Sequence, residues 1–409
     1  MDEVISVDVA ILGGGAAGLM CAMTAASRGR SVLVVERSNK LGKKILMSGG
    51  GRCNFTNLTT DPEHYLSDNA HFCISALRRY PPTSFIELVE AHKIPFEERK
   101  HGQLFCVRSA SDILAMLSEE CRDHGVKLRT RIEPQSLTSY DDQGGEGRTR
   151  YQLCCQSPDG RVIVRTESVV VATGALSIPT LGGSDQGYQF AEQFGLTLVP
   201  RLPGLVPFMA TGQLKAFCEQ LSGVSLPVTA SCRDQSFTED LLFTHRGLSG
   251  PSILQISSYW SPGETVVLDL LPGHSAKELL LEGKKSHPSQ NLLSFLNAYL
   301  PRSLVALFLS ETAGIASNPR LAEIRNAKLA LLGDLLNGWQ LKPAATEGYR
   351  TAEVTLGGVS TDDLNSKTME ARRQPGLFFV GEVVDVSGHL GGYNFQWAWA
   401  SGFCAGQVV

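Results

Sequence analysis

The segment ILMSGGGRCNFTN, residues 45–57, combines residue types that can bind an anion and move a proton. Three glycines at 49–51 let backbone N–H groups approach a ligand closely, and Arg52 can complete a phosphate site. Cys53 follows directly. Its thiol could donate a proton, although a small side chain packed beside a ligand, or a mobile glycine loop, would also explain the pattern. The segment therefore predicts anion binding, with the role of the thiol left open.

A second pattern, G-x-G-x-x-G, occurs at Gly13, Gly15 and Gly18. It follows an apolar run at 7–12 that predicts a strand, and it precedes an alanine-rich segment that predicts a helix. The next predicted strand ends at Glu36, 18 residues after the last glycine, close to the roughly 20 expected for an acid that binds a ribose. A turn that needs glycines only for packing would leave the position of Glu36 unexplained. The arrangement predicts that a βαβ unit binds a dinucleotide.

Two later apolar runs also predict strands that end in glycine-containing turns. The first, SVVVATG, begins at Ser168, and the second, LFFVGE, begins at Leu377. A pair of glycines further on opens a last predicted helix, and glycines permit close approach of a ligand. The residues of these segments that we expect beside the dinucleotide are Ala172, Thr173, Gly174, Gly381, Glu382, Gly391 and Gly392.

The predicted strand ends are spread over the whole chain, which indicates a discontinuous α/β domain of Rossmann type with a long insertion. The insertion is strand-like at first and then spaces apolar residues at helical intervals. A Gly-rich segment at 141–147 predicts a surface hairpin or loop. The expected divisions are 1–197 for the first part of the nucleotide domain, 198–275 for a β-rich insert, 276–342 for a helical subdomain, and 343–409 for the return through the insert to the second part of the nucleotide domain.

The composition is that of an ordinary globular protein, with 409 residues, 43% hydrophobic and 19% charged, which argues against disorder. The formal net charge of −4 gives no global attraction to nucleic acid or to an anionic membrane. Ten scattered cysteines, with no recognisable signal peptide, predict reduced thiols in the cytoplasm. The apolar C-terminal tail is too short to span a bilayer, and no cysteine or histidine cluster has zinc-site spacing. We therefore expect neither a membrane nor a metal partner.

A single dinucleotide fingerprint near the N-terminus, combined with a late Gly-Glu strand end, fits noncovalent FAD better than NAD. FAD is long enough to lie on the first helix while its ring system reaches distant segments. No second G-x-G-x-x-G occurs, so NAD(P)H would visit the flavin only transiently, as a reductant. Neither C-x-x-C nor C-x-x-x-x-C occurs either, which excludes the flavin disulfide reductases.

The segments LGKKILMSGGGRCNFTN, LLFTHRGLSGP, TAEVTLGGV and VGEVVDVSGHLGGYNFQWAWASG resemble the BaiN/RdsA family of FAD-dependent oxidoreductases, also known through the bacterial YhiN flavoproteins. The resemblance covers essentially the whole chain. It implies a discontinuous FAD domain, a β-barrel-like insert and a helical subdomain. It also implies that the flavin contacts include further residues, namely Gly14, Ala16, Ala17, Arg37, Lys44, Ser48, Arg52, Cys53, Asn54, Tyr393 and Asn394.

The activities of this family include bile-acid reduction, amine oxidation and dihydrouridine formation in large-subunit ribosomal RNA. The segments GQLFC, GLVPF, HRGLSGP and EGYRTAEVTLGG resemble the last branch most closely, which implies reduction of the C5=C6 bond of a uridine. In that reaction a hydride from the flavin reaches C6, charge develops on O4, and an acid protonates C5. His245 or Arg246 could donate to O4. Cys106 could be the acid, with Cys53 as a second candidate.

Each of these residues also has a structural interpretation. His245 could cap the turn at 247–249, and Cys106 could be a buried thiol in a strand. RNA binding would depend on a locally basic N-terminal third, against an acidic total charge. A flavin-dependent oxidoreductase acting on a small amine or enone is an alternative, as is a flavin-binding scaffold without turnover. The sequence leaves open the substrate, the choice of NADH or NADPH, the proton donor and the oligomeric state.

Overall fold

The computed structural model describes residues 2–140, 150–315 and 317–409, and the chain divides into two compact units. The first unit contains Met1–Leu202 and Val354–Val409, and the second contains Pro203–Glu353. The segment 141–147, expected to be a surface hairpin or loop, lies outside the described residues. No helix in the described ranges combines the length and the apolar character that crossing a membrane requires.

The N-terminal part of the chain alternates strands and helices. Its strands are β1 (Glu3–Leu12), β2 (Val32–Glu36), β3 (Asn54–Asn57), β4 (Tyr65–Leu66), β5 (Phe96–Glu98), β6 (Gln103–Cys106), β7 (Lys127–Thr130), β8 (Glu133–Ser139), β9 (Tyr151–Ser157), β10 (Gly160–Val171) and β11 (Leu198–Gly204). Its helices are α1 (Ala16–Ser27), α2 (Lys43–Met47), α3 (Cys73–Arg79), α4 (Pro82–Ala91), α5 (Ser111–Asp123) and α6 (Gln186–Gln193).

The second unit and the returning segment follow in chain order. The second unit contains the strands β12 (Phe208–Met209), β13 (Ser225–Cys232), β14 (Gln235–Thr244), β15 (Gly247–Ser249), β16 (Val266–Asp269), β17 (Trp339–Leu341) and β18 (Ala345–Thr346), and the helices α7 (Gly212–Gln220), α8 (Pro251–Ser257), α9 (Ala276–Ser286), α10 (Leu292–Leu296), α11 (Arg302–Leu307) and α12 (Asn326–Asn337). The returning segment contains β19 (Val354–Val359), β20 (Leu377–Phe379), β21 (Ser387–Gly388) and α13 (Tyr393–Gly406).

The main sheet of the first unit has the strand order β7-β2-β1-β10-β9-β8, and β20 pairs with β10. The strands β7, β2, β1, β10 and β20 run parallel, whereas β9 runs antiparallel to both of its neighbours, β10 and β8. Since β20 comes from the end of the chain, the predicted discontinuous α/β architecture is confirmed. The strand β1 begins at Glu3, earlier than the apolar run at 7–12, because Glu3 already pairs with Val162 of β10.

The helices α1 and α13 pack closely together in the first unit. A Cβ atom on Gly402 would lie 2.4 Å from the Ala17 carbonyl oxygen, and one on Gly406 would lie 2.6 Å from Thr24 Cβ. These two glycines of α13 therefore allow the backbones to approach. The last four residues of β1, 9–12, are fully buried, as expected for a parallel strand covered on both faces.

The second unit contains a seven-stranded antiparallel sheet with the order β17-β16-β13-β14-β15-β12-β18. Strand residues such as Phe243 and Leu268 share one hydrophobic core with helix residues such as Leu280 and Leu329. The strands and helices of the insertion thus pack together in one unit. The barrel-like shape and the separate helical subdomain stay predictions.

Candidate active site

The three glycines of the G-x-G-x-x-G pattern, two in the turn between β1 and α1 and one inside α1, occupy their positions for different structural reasons. Gly13 has φ of +111°, and a Cβ there would lie 2.3 Å from the Ala172 carbonyl oxygen. A Cβ on Gly18 would lie 2.0 Å from the Gly13 carbonyl oxygen. Gly15 has an extended backbone with φ of −90°, and a Cβ there would meet nothing within 4 Å. Packing therefore explains Gly13 and Gly18, but it does not explain Gly15.

Gly15 is the residue that precedes α1, where backbone N–H groups lack partners within the helix. The open space beside it is what a ligand phosphate needs in order to reach these N–H groups, and the helix dipole favours an anion there. Ala16 and Ala17 form the first turn of the same helix. This position fits the pyrophosphate of a dinucleotide, so the residues present are suited to FAD.

Glu36 lies at the end of β2, beside the same turn. Its Oε2 accepts a hydrogen bond from the Gly14 N–H at 2.9 Å, and its Oε1 accepts one from the Ser38 N–H at 2.6 Å. Each carboxylate oxygen keeps a further lone pair for a ribose hydroxyl. The neighbouring Arg37 is exposed and donates to the Gly182 carbonyl oxygen at 3.3 Å. The structure thus fixes the orientation of the Glu36 carboxylate before a ligand binds.

The parallel strands bring the three predicted strand ends to one edge of the sheet. The Ala172 N–H donates to the Leu12 carbonyl oxygen at 2.9 Å, which places Thr173 and Gly174 beside the first turn. Gly381 has φ of +72°, and a Cβ there would lie 2.9 Å from Ala17 Cβ. The segments at 172–174 and 381–382 therefore meet at the start of α1, as the sequence predicts.

Lys44, Ser177 and Glu382 form a polar network that joins three of these segments. Lys44 Nζ lies 2.6 Å from both Ser177 Oγ and Glu382 Oε2, and Ser177 Oγ donates to Glu382 Oε1 at 2.6 Å. The Thr355 N–H also donates to Glu382 Oε1, at 3.1 Å. Lys44 and Glu382 were expected beside the cofactor, whereas Ser177 and Thr355 were not expected at all. A hydroxyl soon after a strand-end glycine was the only available signal for Ser177.

The glycine loop at 48–51 lies between α2 and β3. Gly49 packs on Phe105, since a Cβ there would lie 2.8 Å from the ring, but Cβ atoms on the next two glycines would meet nothing within 4 Å. Ser48 Oγ donates to the Ile45 carbonyl oxygen. Arg52 is half-exposed, and its guanidinium lies 3.7 Å from Glu97. The loop therefore presents open backbone and one partly exposed cation to a ligand.

Cys53 and Cys106 are neighbours beside this loop. The Cys106 N–H donates to the carbonyl oxygen of Arg52 at 2.9 Å, and the adjacent residues Asn54 and Phe105 pair between β3 and β6. Both thiols are fully buried. Burial raises the pKa of Cys53 and of Cys106 to about 12. Both groups are therefore neutral thiols at physiological pH, which excludes a thiolate nucleophile.

The start of α13 is fixed against β3. Gly392 has φ of +97°, and a Cβ there would lie 2.4 Å from the Thr56 carbonyl oxygen. With its Nδ2 oriented toward backbone carbonyls, Asn54 accepts from the Gly392 N–H at 3.2 Å. Asn394 exchanges two hydrogen bonds with the backbone of Gly388. Packing therefore accounts for the glycine at 392, and the side chains of both asparagines take part in holding this helix.

Three buried or half-buried rings, those of His64, His389 and Tyr393, surround the same turn. The ring of His64 lies 4.8 Å from that of Tyr393 and 5.5 Å from that of His389, measured between centroids. Burial and the neighbouring His64 lower the pKa of His389 to about 4, so this imidazole is neutral at physiological pH. Tyr393 was expected beside the cofactor, but no sequence signal distinguished the two histidines.

His245 and Arg246 belong to the second unit, at the turn between β14 and β15. Thr244 Oγ1 accepts hydrogen bonds from the N–H groups of Arg246 and Gly247, both at 3.2 Å. This hydroxyl, and not His245, closes the turn, so the structure does not support the capping interpretation of His245. The Arg246 guanidinium lies 3.4 Å from Glu347 Oε2. No sequence signal distinguishes Glu347, although it begins the segment EGYRTAEVTLGG.

The similarity of this chain to known proteins identifies its family. The chain matches the family model described as HI0933-like protein Rossmann domain over residues 7–408. A ribosomal RNA dihydrouridine synthase from Haemophilus influenzae is 47% identical over 398 residues, which cover 97% of this chain and 96% of that protein. A 3-dehydro-bile acid delta(4,6)-reductase from Clostridium scindens is 30% identical over 422 residues, covering 98% of each protein.

A solved structure shows the same fold at low sequence identity. It is a quinol-fumarate reductase, which has a TM-score of 0.52 at 16% identity and covers 99% of this chain and 70% of its own. The resemblance predicted from the quoted motifs is therefore confirmed over almost the entire length. The chain belongs to the HI0933-like family of Rossmann-type, FAD-dependent oxidoreductases.

Proposed function

We propose that this protein reduces the C5=C6 bond of a uridine in large-subunit ribosomal RNA to dihydrouridine, in the cytoplasm, with NAD(P)H as the electron source. The observation that carries the proposal is the 47% identity, over 97% of the chain, to a protein named ribosomal RNA dihydrouridine synthase. The geometry of the first unit supports it, because a dinucleotide site and two neutral thiols lie on neighbouring segments.

The residues suited to hold FAD noncovalently come from four segments. The N-terminus of α1 at Gly15 would bind the pyrophosphate, and Glu36 would bind a ribose. The open glycines of the loop at 48–51 and the segment at 391–394 would approach the ring system. Bound FAD would supply the hydride for C6 of the uracil. The protein's own part is to orient the base, to exclude water and to deliver a proton.

Cys106 is the residue that we assign as the proton donor to C5. Its thiol is fully buried and carries its proton at physiological pH, since burial raises its pKa to about 12. A positioned general acid contributes a factor of about 10² to 10⁴ to a rate. Cys53 lies beside it with the same properties and would be the alternative donor. His245 and Arg246, which belong to the second unit, stay the predicted donors to O4.

An RNA strand would approach over the exposed basic residues near the glycine loop. Arg52 and Arg99 both contact the carboxylate of Glu97, and the Arg99 guanidinium lies 4.2 Å above the Phe105 ring. Phosphate groups bind such guanidinium groups, and the base must leave its stack to reach a buried flavin. The RNA contacts would offset the few kcal/mol that unstacking requires.

Nucleoside mass spectrometry of ribosomal RNA from a deletion strain tests the substrate. We expect one dihydrouridine in the large-subunit RNA to disappear on deletion and to return on complementation. Undiminished dihydrouridine in the deletion strain would contradict the proposal. Anaerobic mixing of the purified holoprotein with NADH or NADPH tests the reductant, because the visible absorbance of the flavin is lost on reduction.

A second candidate is a flavin-dependent reductase of a small conjugated ketone. The observation in its favour is the 30% identity to a protein named 3-dehydro-bile acid delta(4,6)-reductase. Such an enzyme would need no RNA contacts. Turnover of a small enone by the purified holoprotein, together with unchanged dihydrouridine after deletion of the gene, would favour this candidate.

A further inference from the structure

A groove in the second unit has a polar lining, and several of its residues have no role in the proposed reaction. The groove is open to solvent and has a volume of about 540 Å³, and its lining includes Ser222, His245, Arg246, Ser249 and Glu347. This volume lies in the range of pockets that hold a small ligand, about 300–1,000 Å³. The groove is therefore large enough for a nucleoside and offers both hydrogen-bond donors and acceptors.

The strand arrangement fixes two charged side chains at this groove. The short strand β12 pairs with β15 on one side and with β18 on the other. Arg246 precedes β15, and its carbonyl oxygen accepts from the Ala210 N–H at 2.8 Å. Glu347 follows β18, and its N–H donates to the Pro207 carbonyl oxygen at 2.9 Å. Both backbones are thus anchored to the chain at the two ends of the same strand.

The two side chains meet in the groove as a donor beside an acceptor. Arg246 Nη1 lies 3.4 Å from Glu347 Oε2, and Arg350 Nη2 lies 3.6 Å from the same oxygen. The Glu347 side chain is only 10% exposed, whereas those of Arg246 and Arg350 are 40% and 64% exposed. A largely buried carboxylate is stable only when hydrogen-bonded or paired. Because Arg350 also pairs with Glu347, Arg246 can donate hydrogen bonds to a ligand while Glu347 keeps a partner.

A uracil base presents the complementary edge. Its N3–H is a donor, and its O4 is an acceptor directly beside it. An ionised carboxylate only accepts and a guanidinium only donates. We propose that the groove of the second unit recognises uracil, with Glu347 accepting from N3–H and Arg246 donating to O4. This inference rests on the proposed function, which selects uracil from the bases that have a donor next to an acceptor.

Ser222, Ser249 and His245 complete the lining with groups that suit the rest of a nucleoside. Hydroxyl groups can donate to or accept from ribose hydroxyls. His245 is exposed, and a histidine ring offers a face for base stacking, a common mode of recognition of unpaired RNA bases. Glu347 is thus a specificity-determining residue that acts by contact with the base, and its contribution is measurable in binding without any reduction step.

The test uses fluorescence anisotropy of the FAD-loaded protein with a labelled RNA octamer that contains one uridine among adenosines. A second octamer contains N3-methyluridine, which lacks the N3–H. A hydrogen bond to a charged group is worth about 10- to 150-fold in affinity. We expect wild-type protein to bind the methylated probe more weakly by that factor. We expect Glu347→Leu to bind the unmodified probe more weakly by the same factor.

The decisive result is the coupling between these two changes. In Glu347→Leu the methyl group should change affinity by less than about threefold, because the partner of N3–H is already gone. The control is Glu219→Leu, which makes the same substitution at an exposed carboxylate of α7 that pairs with Lys215. It should retain the wild-type affinity and the full effect of the methyl group. Far-UV circular dichroism and FAD content would show that both variants fold.

Two results would overturn the inference. The first is equal affinity of wild-type protein for both probes, which needs no variant to fold. The second is an undiminished effect of the methyl group in Glu347→Leu. Either result leaves the proposed function standing if ribosomal RNA dihydrouridine is lost on deletion. Conversely, full coupling in a protein whose deletion leaves dihydrouridine unchanged would show uracil recognition without this reaction.

Discussion

The substitution Gly15→Val separates cofactor binding from the packing of the β1–α1 turn. The valine side chain would project from an extended backbone into space where nothing lies within 4 Å. The free energy of unfolding of the FAD-free protein should therefore change by no more than about 1 kcal/mol. The same side chain would occupy the position that we assign to the pyrophosphate. Stability and FAD affinity should respond very differently to this one change.

The expected loss of affinity follows from the hydrogen bonds at the N-terminus of α1. Each charge-assisted bond from a backbone N–H to a phosphate oxygen contributes about 1.5–3 kcal/mol, so losing one weakens FAD binding about 10- to 150-fold. Gly13→Ala provides the contrast. Its Cβ would lie 2.3 Å from the Ala172 carbonyl oxygen at φ of +111°. Strain and overpacking together should lower its free energy of unfolding by about 2–6 kcal/mol.

The assay combines denaturant unfolding of the FAD-free proteins with titration of FAD, followed by the quenching of flavin fluorescence. We expect Gly15→Val to unfold near the wild-type midpoint and to bind FAD at least 10-fold more weakly. We expect Gly13→Ala to lose stability as well. Wild-type FAD affinity in a folded Gly15→Val protein would refute the placement of the pyrophosphate. A loss of stability equal to that of Gly13→Ala would refute the assignment of open space at this position.

Three further predictions concern the thiols, the polar network and the buried imidazole. Cys106→Ser should keep its FAD while dihydrouridine formation falls about 10²- to 10⁴-fold. Cys53→Ser should reduce dihydrouridine formation less, or should lose flavin. Full dihydrouridine in ribosomal RNA from a Cys106→Ser strain would exclude this residue as the acid. Lys44→Met and Glu382→Gln should show a coupling energy above about 1 kcal/mol in a double-mutant cycle of unfolding, because their 2.6 Å contact is partly buried; additive effects would contradict this. Burial lowers the pKa of His389 to about 4 from 6.5, so between these pH values the unfolded state binds a proton that the folded state does not. The stability that the neutral imidazole contributes is therefore fully present above pH 6.5, and the free energy of unfolding falls by about 1.4 kcal/mol per pH unit as the pH falls toward 4. His389→Asn should flatten this slope, as measured by urea unfolding at several pH values.

The sequence predicts the nucleotide half of the molecule because its signals are local. Glycine spacing, apolar runs and an acid at the end of the second strand are read from fewer than 40 consecutive residues. Parallel strands then place their carboxyl ends at one edge, so the meeting of the segments at 13, 172 and 381 follows from the strand directions alone. The discontinuous fold could therefore be predicted before any tertiary contact was known, whereas the family was predicted from the resemblance of longer segments.

The sequence could not distinguish the glycines that packing explains from the one that packing does not explain. Gly13, Gly15 and Gly18 look equivalent in a motif. The distances from a hypothetical Cβ at each position separate them, because those distances depend on segments such as 172–173 that are remote in the chain. Gly392 is a similar case: its close approach to the Thr56 carbonyl oxygen depends on how α13 packs on β3.

Only the tertiary structure brings together the side chains that could carry out the chemistry. Cys53 and Cys106 become neighbours through the pairing of β3 with β6, and Arg246 meets Glu347 because β12 pairs with a strand on each side. These partners are separated by 53 and 101 positions in the chain, and no periodicity or spacing rule connects residues so far apart. Their proximity is decided by which strands pair and which surfaces are buried, and those depend on the fold as a whole.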